Sequence, residues 1–125
     1  MAKIMVVDDE PSLRTMLSHM LAQDHHEVIL GKDGEQGIKL YKENLPDLVI
    51  SDLVMPNKNG IDMILELKKD YPDLRLIAIS GGGGITGSFD YLPTAKLIGA
   101  DLILNKPFSL QELRKALLEV LGEAA

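Results

Sequence analysis

Short apolar runs alternate with amphipathic helical patterns along almost the whole chain, and this alternation limits the possible folds more than any other feature. Each run has the length of a buried strand, and each helical pattern carries apolar residues at three- and four-residue spacing. Strands that alternate with helices form a parallel sheet covered on both faces, and right-handed crossovers make that sheet doubly wound. We therefore predict an α/β fold with strands at 4–7, 28–30, 48–50, 74–79 and 102–104.

Helices are predicted from Pro11, over 33–41, over 60–69, near 92–98 and after Phe108. The last has the clearest start, because Ser109 and Glu112 have the spacing of a capping box and Phe108 can pack onto Leu113. The predicted inward faces are Leu13, Met16, Leu17, Met20 and Leu21 in the first helix, Ile38 and Tyr41 in the second, Ile61, Ile64 and Leu65 in the third, and Leu110, Leu113, Leu117, Val120 and Leu121 in the last.

The composition is that of a soluble globular protein. The chain has 125 residues, of which 46% are hydrophobic and 26% charged, and we expect one domain over 1–125. Its net charge of −6 argues against non-specific binding to nucleic acid or anionic membranes. The absence of cysteine excludes disulfides and thiolate chemistry. No signal peptide or membrane-spanning run is evident, which fits a cytoplasmic protein.

Polar residues follow four of the five predicted strands. Asp8 and Asp9 follow the first, Asp52 the third, Ser80 the fourth and Lys106 the fifth. The carboxyl ends of parallel strands meet at one edge of the sheet, which is where such folds bind ligands. We therefore expect these side chains to converge on one site.

The chemistry of this set indicates a phosphoryl group. Three adjacent carboxylates repel each other and stay ionised only beside a cation, and oxygen ligands without histidine or cysteine suit Mg²⁺ or Mn²⁺. Lysine is a point charge suited to a phosphoryl oxygen, and the hydroxyl of Ser80 can donate to another. The carboxylate of Asp52 can then attack phosphorus and hold it as an acyl phosphate.

Four segments resemble the receiver domain of bacterial two-component response regulators. They are "VVDDEP" at 6–11, "LVISDLVMPNKNG" at 48–60, "IAIS" at 77–80 and "NKPF" at 105–108. The resemblance covers essentially the whole chain in order. It implies a flavodoxin-like (βα)5 sheet with helices on both faces and a role in signal transduction.

The resemblance also implies roles for individual residues. Asp52 is expected to be phosphorylated by a sensor histidine kinase or a histidine phosphotransfer protein. Asp9, Asp52 and the main-chain carbonyl of Val54 are expected to ligate Mg²⁺, with Asp8 nearby, acting through water.

Ser80 and Lys106 are expected to contact the phosphoryl group and to report its presence. The family typically has a cis bond at the position of Lys106–Pro107. Output is expected through a downstream protein, with no direct contact to nucleic acid or membrane. The chain is not expected to be an enzyme beyond its own phosphorylation and dephosphorylation, and Val54 is placed to shield the acyl phosphate.

Simpler interpretations exist for each residue. Asp8 and Asp9 could belong to a solvated loop or cap the helix at Pro11, and Asp52 could pair with Lys58. Ser80 could begin a turn before the glycines, and Lys106 could be a surface lysine. Glu10 is interpreted as a solvated acid at the helix start, with tuning of the metal site as the alternative.

Two further motifs could indicate a ligand site, but neither has the residues around it that such a site requires. The segment "SGGGGITGS" at 80–88 has G-x-x-x-x-G spacing, but Ser88 stands where a phosphate-binding loop carries lysine. His19, His25 and His26 could bind a metal, but the last two are adjacent and fall at a turn. We interpret the glycine-rich segment as a loop and reject the histidine site.

The sequence departs from the family pattern on the side that usually carries output. Family members often have tyrosine or phenylalanine where this chain has Ile103, and the loop after Ser80 is longer and richer in glycine. We expect ordering of that loop, with Phe89 or Tyr91, to replace rotation of the aromatic ring.

The chain ends after the last predicted helix, which leaves a stand-alone receiver or an excised domain, with the start "MAKIMVVDDE" favouring the former.

Two other functional classes share part of this pattern. A phosphatase or phosphotransferase of the haloacid dehalogenase type also uses an aspartyl phosphate, but it carries D-x-D after its first strand. Here the first strand is followed by Asp8-Asp9-Glu10, and no cap region is present. A flavodoxin-type flavin protein would need a hydroxyl-rich loop at the same place.

Overall fold

All five predicted strands are present and form one parallel sheet in a computed structural model that describes residues 2–53, 60–80 and 99–122. The predicted helix near 92–98 and the glycine-rich segment 81–91 lie outside the described residues. The elements are β1 (Lys3–Val7), α1 (Pro11–Gln23), β2 (Glu27–Gly31), α2 (Gly34–Asn44), β3 (Leu48–Asp52), α3 (Gly60–Asp70), β4 (Leu76–Ser80), β5 (Leu102–Asn105) and α4 (Leu110–Leu121).

The strand order is β2-β1-β3-β4-β5, with every neighbouring pair parallel. The chain therefore winds outwards in both directions from β1 and β3, which confirms the predicted doubly wound, flavodoxin-like fold. The carboxyl ends of the strands are in register: Val7 lies opposite Ser51, Asp52 opposite Ile79, and Ser80 opposite Asn105. This register brings the polar residues that follow the strands to one edge.

Helices cover both faces of the sheet, because alternate strand residues point in opposite directions. On one face α1 and α4 pack against Ile4, Val6, Ile50 and Ile77. On the other face α2 and α3 pack against residues that include Met5, Val7, Val49 and Ala78. The inner strands β1 and β3 are buried from both sides, which explains their continuous apolar sequence.

The helix boundaries follow the predicted signals. Pro11 occupies the first turn of α1. Ser109 and Glu112 form the predicted capping box at α4: the Glu112 amide donates to Ser109 Oγ at 3.1 Å, and the Ser109 amide donates to Glu112 Oε1 at 3.0 Å. Asp33 is the N-cap of α2 rather than its first helical residue, and its carboxylate accepts from the Gln36 amide.

Some predicted inward faces were wrong. In α3 the buried residues are Met63, Ile64 and Leu67, whereas Leu65 is 48% exposed. In α1 the stripe holds except at Met16, which is 38% exposed. The fourth strand begins at Leu76, two residues later than predicted. In α4 the buried residues are Leu113, Ala116 and Leu117, while Leu110, Val120 and Leu121 are only partly buried. No helix in the described ranges is long and apolar enough to span a membrane.

Candidate functional site

Three aspartates meet at the carboxyl ends of β1 and β3. One carboxylate oxygen from each of Asp8, Asp9 and Asp52 lies within 4.8 Å of the others. Asp8 is fully buried, Asp52 is partly buried and Asp9 is exposed. The convergence predicted from the strand ends is therefore observed, and it follows from the direct pairing of β1 with β3.

Asp8 is a fully buried carboxylate with one oxygen that the described part of the chain leaves unsatisfied. Its Oδ1 accepts the Glu10 amide at 2.8 Å, whereas its buried Oδ2 has no hydrogen-bond partner among the described residues. Burial raises the pKa of Asp8 from its usual 3.8 to about 6; the Glu10 amide and Lys106 oppose that rise, and the charges of Asp52 and Asp9 add to it. An unsatisfied oxygen facing two other carboxylates is the kind of donor set that a hard divalent cation satisfies. The residues present thus fit Mg²⁺ or Mn²⁺.

The main chain of Asp8 is fixed from two sides. Its amide donates to the carbonyl of Gly31 at 3.1 Å. Its carbonyl accepts from Nη1 of Arg14, one turn into α1. Arg14 was not predicted from the sequence, since a contact between a helix residue and the preceding loop carbonyl leaves no periodic signal.

Lys106 follows the edge strand β5 and lies next to the aspartate cluster. Its Nζ lies 3.6 Å from Oδ2 of Asp52, 3.8 Å from Oδ2 of Asp8 and 3.5 Å from Oε1 of Glu10. Burial lowers the pKa of Lys106, but the carboxylates of Asp8, Asp52 and Glu10 outweigh that effect, so the pKa is raised overall. Lys106 is therefore a charged ammonium inside an acidic site. Its simpler interpretation as a surface lysine is wrong. The Lys106–Pro107 bond is cis, as the resemblance implied.

Ser80 is the last residue of β4 and pairs with Asn105, so its main chain lies at the same edge of the sheet. Its side chain, Val54 and Lys58 lie outside the described residues, as do Phe89 and Tyr91. The predictions for the Ser80 hydroxyl, the Val54 carbonyl, the Asp52–Lys58 pair and the loop ordering therefore stay predictions.

Gly60 packs directly against the main chain of Asp52. Its amide donates to the Leu53 carbonyl at 3.0 Å. A Cβ at this position would fall on the carbonyl oxygen of Asp52 and within 2.9 Å of the Leu53 Cα. The start of α3 thus closes against the end of β3, and only glycine permits that approach.

The simpler interpretations of Asp8 and Asp9 as helix caps were wrong, because Glu10 is the N-cap of α1 and no side chain caps the helix there. Among the described residues the aspartate cluster is the only group of three or more side chains that could hold a metal ion, and it contains no histidine. His26 is buried instead, and its Nδ1 accepts the Ala2 amide at 3.0 Å. Ile103 packs against the α2 and α3 side of the core.

The fold and the site define a signalling domain of the two-component type. A family model described as the response regulator receiver domain matches residues 4–118. The chain therefore belongs to the response regulator receiver domain family, as the sequence resemblance predicted.

Solved structures and curated relatives agree with this assignment. A response regulator receiver domain protein from Clostridium thermocellum superposes with a TM-score of 0.85 at 31% identity, covering 98% of this chain and 95% of that one. Chemotaxis protein CheY4 of Vibrio cholerae gives a TM-score of 0.84 at 28% identity, covering 96% of this chain and 98% of that one.

The alkaline phosphatase synthesis transcriptional regulatory protein PhoP of Bacillus subtilis is 35% identical over 114 residues, which are 89% of this chain and 45% of PhoP. The probable transcriptional regulator ycf27 of Porphyridium aerugineum is 38% identical over 122 residues, which are 95% of this chain and 48% of that protein. The chain thus spans less than half the length of these two relatives.

Proposed function

We propose that this chain is the phospho-accepting receiver of a two-component or phosphorelay system, with Asp52 as the acceptor. The observation that carries the proposal is the position of Lys106, whose Nζ lies within 4 Å of both Asp52 and Asp8 in the same acidic cluster. A lysine held among carboxylates balances their charge in the resting state and can turn to phosphoryl oxygens when they arrive.

The transfer uses Asp52 as a nucleophile. A carboxylate oxygen of Asp52 attacks phosphorus, the bond from phosphorus to the donor breaks, and the donor leaves with the electron pair of that bond. From a phosphohistidine donor the broken bond is P–N, and the product is an aspartyl phosphate. Lys106 offsets the charge on the phosphoryl oxygens, and Ser80 donates a hydrogen bond to one of them.

The metal requirement follows from the donor set. Asp8, Asp9 and Asp52, with the carbonyl of Val54, would hold Mg²⁺ or Mn²⁺, which supplies positive charge beside the phosphoryl oxygens. Attack of water on phosphorus returns the Asp52 carboxylate and inorganic phosphate, and Val54 shields the acyl phosphate from that water. The chain is then a signalling module whose only chemistry is its own modification.

The proposed partners are a sensor histidine kinase or a histidine phosphotransfer protein as donor and a downstream protein as receiver of the signal. A cytoplasmic location follows from that class of donor. The relatives PhoP and ycf27 are transcriptional regulators by name. For this chain we propose output through protein contacts, since the net charge of −6 is unsuited to direct contact with nucleic acid.

A phosphatase of the haloacid dehalogenase type is not favoured. The proposed acceptor, Asp52, lies at the end of β3 and its side chain is partly exposed, whereas Asp8, which follows β1, is fully buried. The family match favours a receiver domain over a phosphatase.

Intact mass after treatment with acetyl phosphate tests the proposal. The samples are the wild type, Asp52→Ala and the exposed control Asp73→Ala, each with and without Mg²⁺. We expect one Mg²⁺-dependent phosphate adduct in the wild type and the control, and none in Asp52→Ala. An adduct that persists in Asp52→Ala, or no adduct on the wild type, would overturn the assignment.

A further inference from the structure

Glu10 has a side chain that the helix start does not use. It is the N-cap of α1, but no side-chain hydrogen bond caps the helix there. Its amide is fixed, since it donates to Oδ1 of Asp8 at 2.8 Å. Its side chain is 61% exposed, and Oε1 lies 3.5 Å from Nζ of Lys106. The main chain thus holds Glu10 beside the site, and the side chain is oriented towards the lysine.

The ion pair between Glu10 and Lys106 differs from the other two that Lys106 makes. Asp8 and Asp52 belong to the group of carboxylates that could share a cation, and Glu10 does not. Asp8 is buried and the Asp52 side chain is only 13% exposed, so Glu10 is the one carboxylate of the three that faces water. Exposed ion pairs are weak, which makes this pair easy to exchange.

The pair also borders an open groove. Glu10 and Lys106 line one groove of about 650 Å³ together with Ser12, Leu13, Met16, Pro107 and Phe108. Lys106 therefore stands between the aspartate cluster and this open groove. A group that binds Lys106 from the groove side competes with the carboxylate of Glu10 for the ammonium.

We infer that Glu10 is a positioning residue that holds Lys106 before phosphorylation and competes with the phosphoryl group for it. This inference rests on the proposed function and deepens it. When Asp52 becomes phosphorylated, the Lys106 ammonium leaves Glu10 for the phosphoryl oxygens, and Glu10 returns to water. Glu10 thereby opposes phosphorylation through Lys106, which is a different role from tuning of the metal.

The test is a double-mutant cycle with Glu10→Gln and Lys106→Met, using the full chain at saturating Mg²⁺. The readouts are the phosphorylation rate with acetyl phosphate and the affinity for the phosphoryl mimic trifluoroberyllate, followed by ¹⁹F NMR. In Glu10→Gln we expect both to increase about two- to fivefold, the range that an exposed ion pair supports. In the Lys106→Met background Glu10→Gln should change neither readout, because the group through which it acts is gone.

Two controls separate this role from simpler ones. Glu35→Gln removes the same charge from an exposed position at the start of α2, beside the opposite edge strand β2, and should change neither readout. Repeating the rates with phosphoramidate tests simple repulsion of the donor, because this donor carries less negative charge than acetyl phosphate. Competition for Lys106 predicts similar gains with both donors.

Mn²⁺ affinity, measured by electron paramagnetic resonance, gives a readout that does not depend on phosphorylation. It should change by less than about twofold in Glu10→Gln, since Glu10 lies outside the metal-ligating group.

Three outcomes would overturn the inference while leaving the proposed function intact. They are unchanged rates and trifluoroberyllate affinity in Glu10→Gln, the same gain in the Lys106→Met background, and a gain confined to acetyl phosphate. A wild type that takes up neither phosphate nor trifluoroberyllate would overturn the proposed function and this inference together.

Discussion

The Nζ of Lys106 lies 3.6 Å from Oδ2 of Asp52, although Lys106 follows β5, Asp52 ends β3, and β4 lies between those two strands. The loop after β5 therefore reaches back across the end of β4 to the acidic cluster. Lys106 thereby connects Asp52 to the segment between β5 and α4.

Replacement of Lys106 by methionine should slow phosphorylation from a small donor about a hundredfold, because one charge that stabilises the phosphoryl oxygens is lost. The fold should persist, since the lysine contacts only the rim of the sheet. The measurement is the rate of adduct formation by intact mass, with the exposed Lys115→Met on α4 as matched control. A rate within about twofold of the wild type would show that Lys106 does not act on the reacting group.

Replacement of Gly60 by alanine should destabilise the protein by about 1 to 3 kcal/mol and slow phosphorylation, because the added Cβ displaces the main chain that carries Asp52. Gly31→Ala is the matched control, since a Cβ there meets its neighbours at 3.6 Å, an ordinary contact. Urea unfolding followed by circular dichroism measures the loss. Equal stability of the two variants would contradict the close approach at Gly60.

The sheet and the acidic cluster were predictable because both follow from local pattern and topology. Each apolar run marks one strand, and parallel strands necessarily bring their carboxyl ends to one edge. Asp8, Asp52 and Lys106 were found in this way without any knowledge of their contacts. The cis bond at Lys106–Pro107 came from the resemblance alone.

What could not be predicted depends on how the elements pack. The inward face of α3 includes Met63 because Gly37 in α2 leaves room for it: a Cβ at Gly37 would collide with the Met63 sulfur. Met16 continues the apolar stripe of α1 but lines the open groove beside Phe108 rather than the core. Such choices involve residues distant in sequence, so the periodicity of one helix cannot reveal them.

Asp8→Asn should stabilise the protein at neutral pH in the absence of divalent cations. The pKa of Asp8 is raised to about 6, so its stabilising contribution is complete below its ordinary pKa of 3.8 and is lost as the pH rises through 6. Removing the charge should recover about 1 to 2 kcal/mol at pH 7, after allowance for solvent screening. Urea unfolding in chelator gives this difference, and a less stable variant at pH 7 would contradict it.

Addition of Mg²⁺ should raise the melting temperature of the wild type but not that of Asp8→Asn, because only the former keeps the full set of carboxylates. The comparison needs no phosphodonor. An equal shift in both proteins would remove Asp8 from the proposed metal site.

His26 has the opposite pH dependence. It is 7% exposed, and its Nδ1 accepts the Ala2 amide, so protonation of this nitrogen breaks the bond that holds the start of β1. Burial lowers the pKa of His26 below its usual 6.5, the charge of the N-terminus lowers it further, and Asp24 opposes the change. The neutral ring stabilises the fold fully above pH 6.5, and that contribution is lost as the pH falls through the lowered pKa.

Between pH 7 and pH 5 the contributions of Asp8 and His26 therefore oppose each other, and the metal-free wild type should show a shallow dependence of stability on pH. The two single variants should reveal opposite slopes. Asp8→Asn should lose stability on acidification, because His26 remains, whereas His26→Asn should gain stability, because Asp8 remains and the asparagine oxygen can still accept the Ala2 amide. His19→Asn, at an exposed position in α1, should follow the wild type. Urea unfolding at pH 5, 6 and 7 in chelator distinguishes these cases, and slopes of the same sign in both variants would show that other groups govern the pH dependence.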